Sequence, residues 1–460
     1  MNRSISLFVC IIAIVASLFV PQISSVVILF FWVLLLSYTI KDLNNRVTLF
    51  AFLIAFFTFL LGRFLVKSLT NVLPVDEFNE FIDFSNDTEQ FIFRTIIISL
   101  CFIFIGYLYG ERRRCKNASI NQGYATEVRR LSKWLVYLTF FFNLAEVLER
   151  VYYAGSNGYF EYYISFRQNM PYIVYKLASF FVFSVFVNLA TLPSKKEAKP
   201  IIFLYLLSAF IQLLIGARGA IMYPLLIVLI YCFIRTNITP DDPWITSRGK
   251  RIIVILAPLM CVFMSVVSIL RNGDSASGLD FFDAIKTFFF KQGSSYQLIG
   301  FVYDQNSYIP EGQIYTIGRI FHIFDGSIIG EILGIDNHLV SQTAEFALKG
   351  DDLGAVMTYI YNPRIYLNGG GYGSCYIAEA YADLGWGGII ICNFIVGYLL
   401  ARIPSWMNSN IWMTVISFFM LYSFIRAPRG SAFGFLGDIF NINLILIAIF
   451  IHLMAKKRMN

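Results

Sequence analysis

From residue 4 onward the chain is a succession of apolar runs, each about as long as a bilayer is thick, separated by short polar breaks. "SISLFVCIIAIVASLFV" is followed after "PQ" by "ISSVVILFFWVLLLSYTI", and the pattern recurs to the C-terminus. A hydrocarbon core about 30 Å thick takes about 20 helical residues to cross. No water reaches the backbone there, so each N–H and C=O has to be satisfied within its own segment, and the helix does this for runs of such length. With 57% hydrophobic and 14% charged residues, the chain does not have the composition of a soluble domain. The expected fold class is all-α, a polytopic integral membrane protein. Twelve spans are read, at 4–20, 23–40, 47–66, 91–109, 131–150, 172–192, 201–216, 220–234, 252–270, 375–400, 411–425 and 433–454, with 1–460 forming a single transmembrane domain. The first run resembles a secretory signal, but a second follows at once with no small-x-small site between them, so it reads as a retained helix.

The polar breaks set the topology. With the N-terminus inside, the inner segments include "KDLNNR", "ERRRCKN…EVRRLSK", "PSKKEAK", "RTNITPDDPWITSRGKR", the turn with Arg402 and the tail "KKRMN". This side holds 21 of the 36 Lys and Arg but 6 of the 29 acids. Such an excess marks cytoplasmic loops, so both termini are expected in the cytoplasm. The net charge of +7 thus resolves into loops and does not point to nucleic acid. Seven cysteines show no zinc spacing and no CxxC; most lie in apolar runs, and no structural disulfide is expected. The outward side has an acidic loop near 69–90, a second at 151–171, and one large loop at 271–374 between the ninth and tenth helices. About a hundred residues is too long for a mere connector. Its apolar patches "AIKTFFFK" and "IGRIFHIFDGSIIGEILG" are expected as short amphipathic helices on the membrane surface or over a cavity. No internal repeat is visible, so a transporter of two related halves is unsupported.

Six of the arginines at or near the outer membrane boundary stand out against the usual bias. Arg218 lies in "GARGA", Arg271 in "SILRNGD", Arg319 and Arg364 in the long loop, and Arg426 and Arg429 in "IRAPRGS". Phosphate is their natural partner, because the guanidinium stays charged and its planar fork matches phosphate oxygens. The plainer reading of any one of them is a side chain snorkelling to headgroups or pairing with a loop acid. A second feature is "LNGGGYGSCYIAEAYADLGWGG", in which glycines lead into an apolar helix carrying Glu379 and Asp383. It lacks the GK[ST] ending of a nucleotide loop and follows no strand. A close-fitting turn at the mouth of a site is expected instead, with Ser374 as a helix cap. Glu379 and Asp383 are four apart and share one helical face. A charge at the centre of a membrane helix costs about 2.5–3.5 kcal/mol, and less near the interface, so both acids are functional candidates. The plainer alternative has them wet and paired with loop arginines.

"GGGYGSCYIAEAYADLGWGGIII", together with "LLIGARGAIMYPLL" and the arginine before the long outward loop, resembles the O-antigen polysaccharide polymerases of the Wzy type. The resemblance covers nearly the whole twelve-span plan and implies a GT-C-like helical glycosyltransferase architecture in a bacterial inner membrane. It implies that a growing glycan on undecaprenyl pyrophosphate is transferred, on the outer face, onto the terminal sugar of a new lipid-linked repeat unit. A chain-length regulator protein is implied as partner, beside the membrane lipids. The resemblance also implies a reaction without a metal or other cofactor. The chain has only three histidines (His322, His338, His452) and no clustered aspartate pair resembling a cation site.

On that basis Arg218 and Arg271, with Arg319, Arg364, Arg426 and Arg429, are expected to hold the pyrophosphate. Glu379 is expected to be the general base, with Asp383, His322 and His338 as further catalytic candidates and inversion at the anomeric carbon as the outcome. Tyr361, Tyr366 and Tyr372, and less directly Tyr296 and Tyr303, are candidates for stacking on sugars, although each taken alone is more simply packing. Two other functions fit the same features. An O-antigen ligase would differ in its acceptor. A transporter or flippase for lipid-linked oligosaccharide would need charges along a path, for which Arg63, Arg94, Glu146 and Glu149 lie too near helix ends.

Overall fold

The computed structural model describes residues 3–20, 22–70, 84–112, 121–271, 280–321, 332, 334 and 339–459. It is 82% helix, and no strand occurs among the described residues. Twelve long helices follow the twelve expected spans. They are α1 (Arg3–Phe19), α2 (Ser25–Ile40), α3 (Leu43–Leu69), α4 (Asn86–Arg112), α5 (Gln122–Asn157) and α6 (Tyr172–Ala190). The second half holds α7 (Lys195–Ile215), α8 (Gly219–Ile238), α9 (Ser247–Arg271), α10 (Tyr376–Trp406), α11 (Ile411–Arg426) and α12 (Ile442–Met459). Among the described residues nine of these, α3 to α11, are long and apolar enough to cross a membrane. The chain is therefore a multi-pass membrane protein.

The bundle is built around α4 and α10. A Cβ placed on Gly106 would lie 2.1 Å from the Phe394 carbonyl oxygen, and one on Gly397 would lie 2.0 Å from that of Ile103. The two backbones touch, as small residues allow where helices cannot rely on the hydrophobic effect to hold them together in lipid. Asn393 of α10 adds a buried polar knot. It accepts from Tyr376 Oη at 2.6 Å and donates to Ser99 Oγ of α4 at 3.1 Å. In the central stretch of α4, 83% is buried, against 17% in α9, whose Ile252, Val254, Ile255 and Leu256 face outward. α4 is thus the hub, and α9 sits at the periphery.

The basic turns gather at one end of the bundle. Arg46 pairs with Glu111 at 3.2 Å, joining the α2–α3 turn to the end of α4. Lys250 Nζ donates to Asn44 at 2.8 Å, and Arg235 to the Pro193 carbonyl at 3.1 Å, so the α8–α9 and α6–α7 connections lie there too.

At the other end, the first apolar patch between α9 and α10 departs from the expected surface helix, while most of the second, "IGRIFHIFDGSIIGEILG", lies outside the described residues. Asp280 caps a helix at Phe281–Gln292, and this helix turns back into the bundle. Ser265 of α9 donates to its Ala284 carbonyl at 2.6 Å. Arg63 of α3 is fully buried; its Nε donates to the Phe290 carbonyl at 3.0 Å, and its guanidinium lies over the Phe290 ring. The chain continues through Gly293–Tyr296 into a second helix, Gln297–Asp304, whose Leu298, Ile299, Phe301 and Val302 are all buried. Room for this insertion comes from a π-helical turn at Phe57–Leu61 of α3, where the backbone bulges. Arg63, weighed above as part of a transport path, therefore clamps an inserted helix.

Candidate functional site

Beyond the inserted helices, at the end opposite the basic turns, lies a cavity of about 520 Å³. Three stretches build it: the short turn Gly318–Ile320, the segment from Leu339 to Glu379, and the α11 end with the chain after it, Tyr422 to Asp438. Its walls bring together five of the expected site residues: Glu379, Arg319, Arg426, Arg429 and Tyr366.

Glu379 enters from the first turn of α10. It is 3% exposed, and its Oε1 accepts from Ser374 Oγ at 2.6 Å. Ser374 was expected to cap this helix; the residue at the cap position is Cys375, and the serine hydroxyl is spent on the glutamate instead. The glycine run in front forms the cavity rim. Gly373 has φ +80, a left-handed backbone that only glycine adopts without strain, and its carbonyl oxygen lies 2.5 Å from where a Cβ on Gly354 would sit. Thr358 pins the same run, accepting from the Tyr372 backbone N–H at 3.1 Å. The expected close-fitting turn is present.

The arginines reach the cavity from other stretches of the chain. Arg426 and Arg429 come from the end of α11 and the turn after it, and Arg319 from the loop. Asp438 lies among them: burial pushes its carboxyl above the ordinary aspartate range, and Arg319 and Arg426 pull it part of the way back. Arg218 does not line the cavity but stands one residue behind it. With the Gln292 amide turned so that its oxygen faces Arg218, both η nitrogens donate to it at 2.9 Å. The Gln292 carbonyl accepts from Arg429 at 3.5 Å, so the tip of the inserted helix links the two arginines. Arg364 lies exposed on Pro363–Leu367, outside the cavity wall. Arg271 ends α9, with its side chain outside the described residues, where His322 and His338 also lie.

Asp383 has a different environment from Glu379 although one helical turn separates them. Its Oδ1 accepts from the Tyr315 backbone N–H at 2.9 Å, and its Oδ2 from the Thr316 N–H and hydroxyl at 2.8 and 2.6 Å. It anchors the loop that carries Arg319. The tyrosines divide in the same way. Tyr361 and Tyr372 pack on Phe301, at 3.9 and 5.2 Å between ring centres, Tyr296 packs on Phe64, and Tyr303 stacks on Phe91. Tyr366 alone of the three glycan candidates lines the cavity. Burial, with Asp352 adding to it, pushes its phenol up to about 12, so it stays protonated and able to donate.

Asp351, Asp352 and Asp438 line the cavity as well; the first two look in the sequence like ordinary solvated loop acids, and Asp438 fell inside the expected span 433–454, whose long helix begins only at Ile442. Asp352 also caps the helix Leu353–Tyr361, accepting from Ala355 N at 3.2 Å. Among the described residues no group of three or more His, Cys, Asp or Glu is placed to hold a metal ion. The arrangement thus lines one cavity with arginines suited to an oxyanion and with a buried carboxylate that accepts from a serine hydroxyl.

A family model described as O-antigen polysaccharide polymerase Wzy matches residues 2–459, nearly the whole chain. No curated protein and no solved structure matches it.

Proposed function

Since the chain belongs to the O-antigen polysaccharide polymerase Wzy family, whose members polymerise oligosaccharide repeat units, we propose that the cavity is where one glycan is joined to the next. The donor is the growing chain on undecaprenyl pyrophosphate, and the acceptor is the terminal sugar of a lipid-linked repeat unit. The cavity opens on the outer face of the inner membrane, and the basic turns at the far end of the bundle support that orientation, with both termini cytoplasmic.

In the reaction, an acceptor hydroxyl attacks the anomeric carbon of the donor. The new C–O bond forms as the bond to pyrophosphate breaks, and negative charge passes to the leaving diphosphate. Arg319, Arg426 and Arg429 stabilise that charge, with Arg218 holding the Gln292 support behind them. The hydroxyl proton passes to Glu379. Attack from the side opposite the leaving group inverts the anomeric centre. Asp383 is assigned the loop anchor and not the proton transfer, since three hydrogen bonds already occupy its oxygens. A chain-length regulator acts as partner.

The observation that carries this reading is that a buried glutamate and three arginines line one cavity at the same end of the bundle. The test is polymerisation by purified protein in lipid nanodiscs supplied with undecaprenyl-pyrophosphate-linked repeat units. Wild-type protein is expected to yield a ladder of multiples of the unit, with one undecaprenyl pyrophosphate released per linkage. Intact single units after incubation would overturn it.

A further inference from the structure

Among the described residues, three buried side-chain atoms in the cavity wall have no hydrogen-bond partner: Glu379 Oε2, Tyr366 Oη and Gln342 Oε1. The glutamate carboxylate is used in the joining reaction. The other two take part in no step of it, and they are a donor and an acceptor. Tyr366 is 2% exposed; its oxygen sits beside the Gln342 backbone, and its proton has no acceptor. Gln342 has φ +61, a left-handed backbone that residues with a side chain rarely adopt, and its amide oxygen is shut from solvent. Other polar groups in the wall are already engaged. Thr358 donates to the Gly354 carbonyl at 2.6 Å, Ser374 donates to Glu379, and Asp352 accepts from Ala355 N as a helix cap. A buried polar atom without a partner is costly and uncommon, so a donor and an acceptor left open in one cavity point to a ligand that completes both.

We propose that the glycan unit seated beside Glu379 carries an N-acylated amino sugar, whose amide bridges Tyr366 and Gln342. The amide carbonyl accepts from the Tyr366 hydroxyl, and the amide N–H donates to the Gln342 side-chain oxygen. The acyl methyl lies against Leu339 and Phe346, which line the cavity from the same stretch of chain. A sugar hydroxyl also donates and accepts, but from a single atom, and it brings no apolar group to that contact. A free ammonium would suit Asp351 and Asp352, yet it offers no acceptor to the tyrosine. Glu379 closes the stretch that carries Tyr366 and Gln342, whereas Arg426 and Arg429 enter from the end of α11. The amide therefore belongs to the acceptor unit and not to the sugar carrying the diphosphate.

This subsite rests on the polymerase reading of the cavity, and the two fail separately because its binding is measured with no donor present. The probes are the methyl glycosides of N-acetylglucosamine and N-acetylgalactosamine, of the corresponding free amines, and of glucose and galactose. Full-length protein in nanodiscs is titrated with each, and saturation-transfer NMR reads the binding. At least one N-acetyl glycoside is expected to bind about tenfold or more tightly than both its hydroxyl and its amine counterpart, as two further hydrogen bonds would give. Its acetyl methyl protons should receive the strongest saturation. Tyr366→Phe removes the donor alone and Gln342→Met the acceptor; each should cut the preference to about twofold or less while keeping the monodisperse peak in size-exclusion chromatography. The wild-type comparison decides even where a variant does not fold. Equal binding by the three classes, tighter binding by an amine, or a preference that survives Tyr366→Phe would overturn the subsite. A ladder made by a protein with no preference would sink this inference alone; a preference in a protein that makes no ladder would sink the polymerase reading and keep the amide contact.

Discussion

Glu379 is a carboxylate kept out of water, with Ser374 donating to it and no arginine among its resolved hydrogen-bond partners. Burying a charge in that state is costly, and one turn further along the helix Asp383 is compensated by three hydrogen bonds. The difference assigns the roles. Glu379→Gln keeps the shape and the serine contact, so it should reach the membrane at normal abundance, yet turn over about 10²–10⁴-fold more slowly. Arg426→Ala and Arg429→Ala should each cost about 10²–10³ in turnover, whereas Arg364→Ala, outside the cavity, should stay within about twofold. Single-turnover rates on lipid-linked repeat units check all four. Asp438 supplies a pH test. Because burial raises its pKa, it takes up a proton at a higher pH than an exposed aspartate, and Arg319 and Arg426 then lose their counter-charge. Asp438→Asn should bind pyrophosphate about tenfold tighter near neutrality, and the wild type should approach it as pH falls. A gap that does not close on acidification, read by calorimetry, would contradict this. Glu379 was legible in the sequence because an acid in a membrane helix is conspicuous. The same signal flagged Asp383, whose partners lie 67 and 68 residues away, a distance no local pattern reveals.

Among the elements, the inserted pair Phe281–Gln292 and Gln297–Asp304 positions the site, since Gln292 at its tip takes both Arg218 and Arg429. "AIKTFFFK" reads as a surface helix because Lys286 and Lys291 give it a polar stripe, and indeed Lys286 pairs with Asp283 at the exposed face. What the local pattern hides is the partner on the other side, the π-turn of α3 that takes Phe289 and, just after it, Arg63, which holds Phe290. A fuller clue was the length of the apolar stretch, which runs on through "SSYQLIGFVYD" and leaves too little polar surface for a helix lying in the interface. Gly293 marks the tightest crossing of the inserted segment: a Cβ there would lie 2.4 Å from the Arg63 backbone nitrogen. Gly293→Leu should therefore fail to fold, losing the monodisperse peak in size-exclusion chromatography of the detergent extract. Gly387→Leu, where no atom lies within 4 Å of the added Cβ, should keep that peak.

For the whole molecule, apolar runs and loop charge were sufficient to locate twelve helices and to gather the basic turns at one end, because span length and charge bias are properties of single segments. The cavity was not legible, because its walls come from residues 315–319, 339–379 and 422–438, which meet only once the bundle has closed. The motif "GGGYGSCYIAEAYADLGWGG" gave one wall and left the facing one to inference. Topology is checked with single cysteines in a cysteine-free background. Ser431→Cys, at the cavity, should react with a membrane-impermeant maleimide added from outside, and Lys250→Cys, at the basic end, only after the membrane is permeabilised. The central claim is that the arginine wall holds the diphosphate while Glu379 takes the proton, and the most direct measurement is donor binding and unit joining made on the same nanodisc samples. The account predicts that Glu379→Gln binds the undecaprenyl-pyrophosphate-linked donor within about twofold of wild type yet joins a second unit about 10²–10⁴-fold more slowly, and that the double variant Arg426→Ala/Arg429→Ala loses donor binding by about a hundredfold or more. A full-length ladder from Glu379→Gln, or wild-type donor affinity in the double variant, would contradict it.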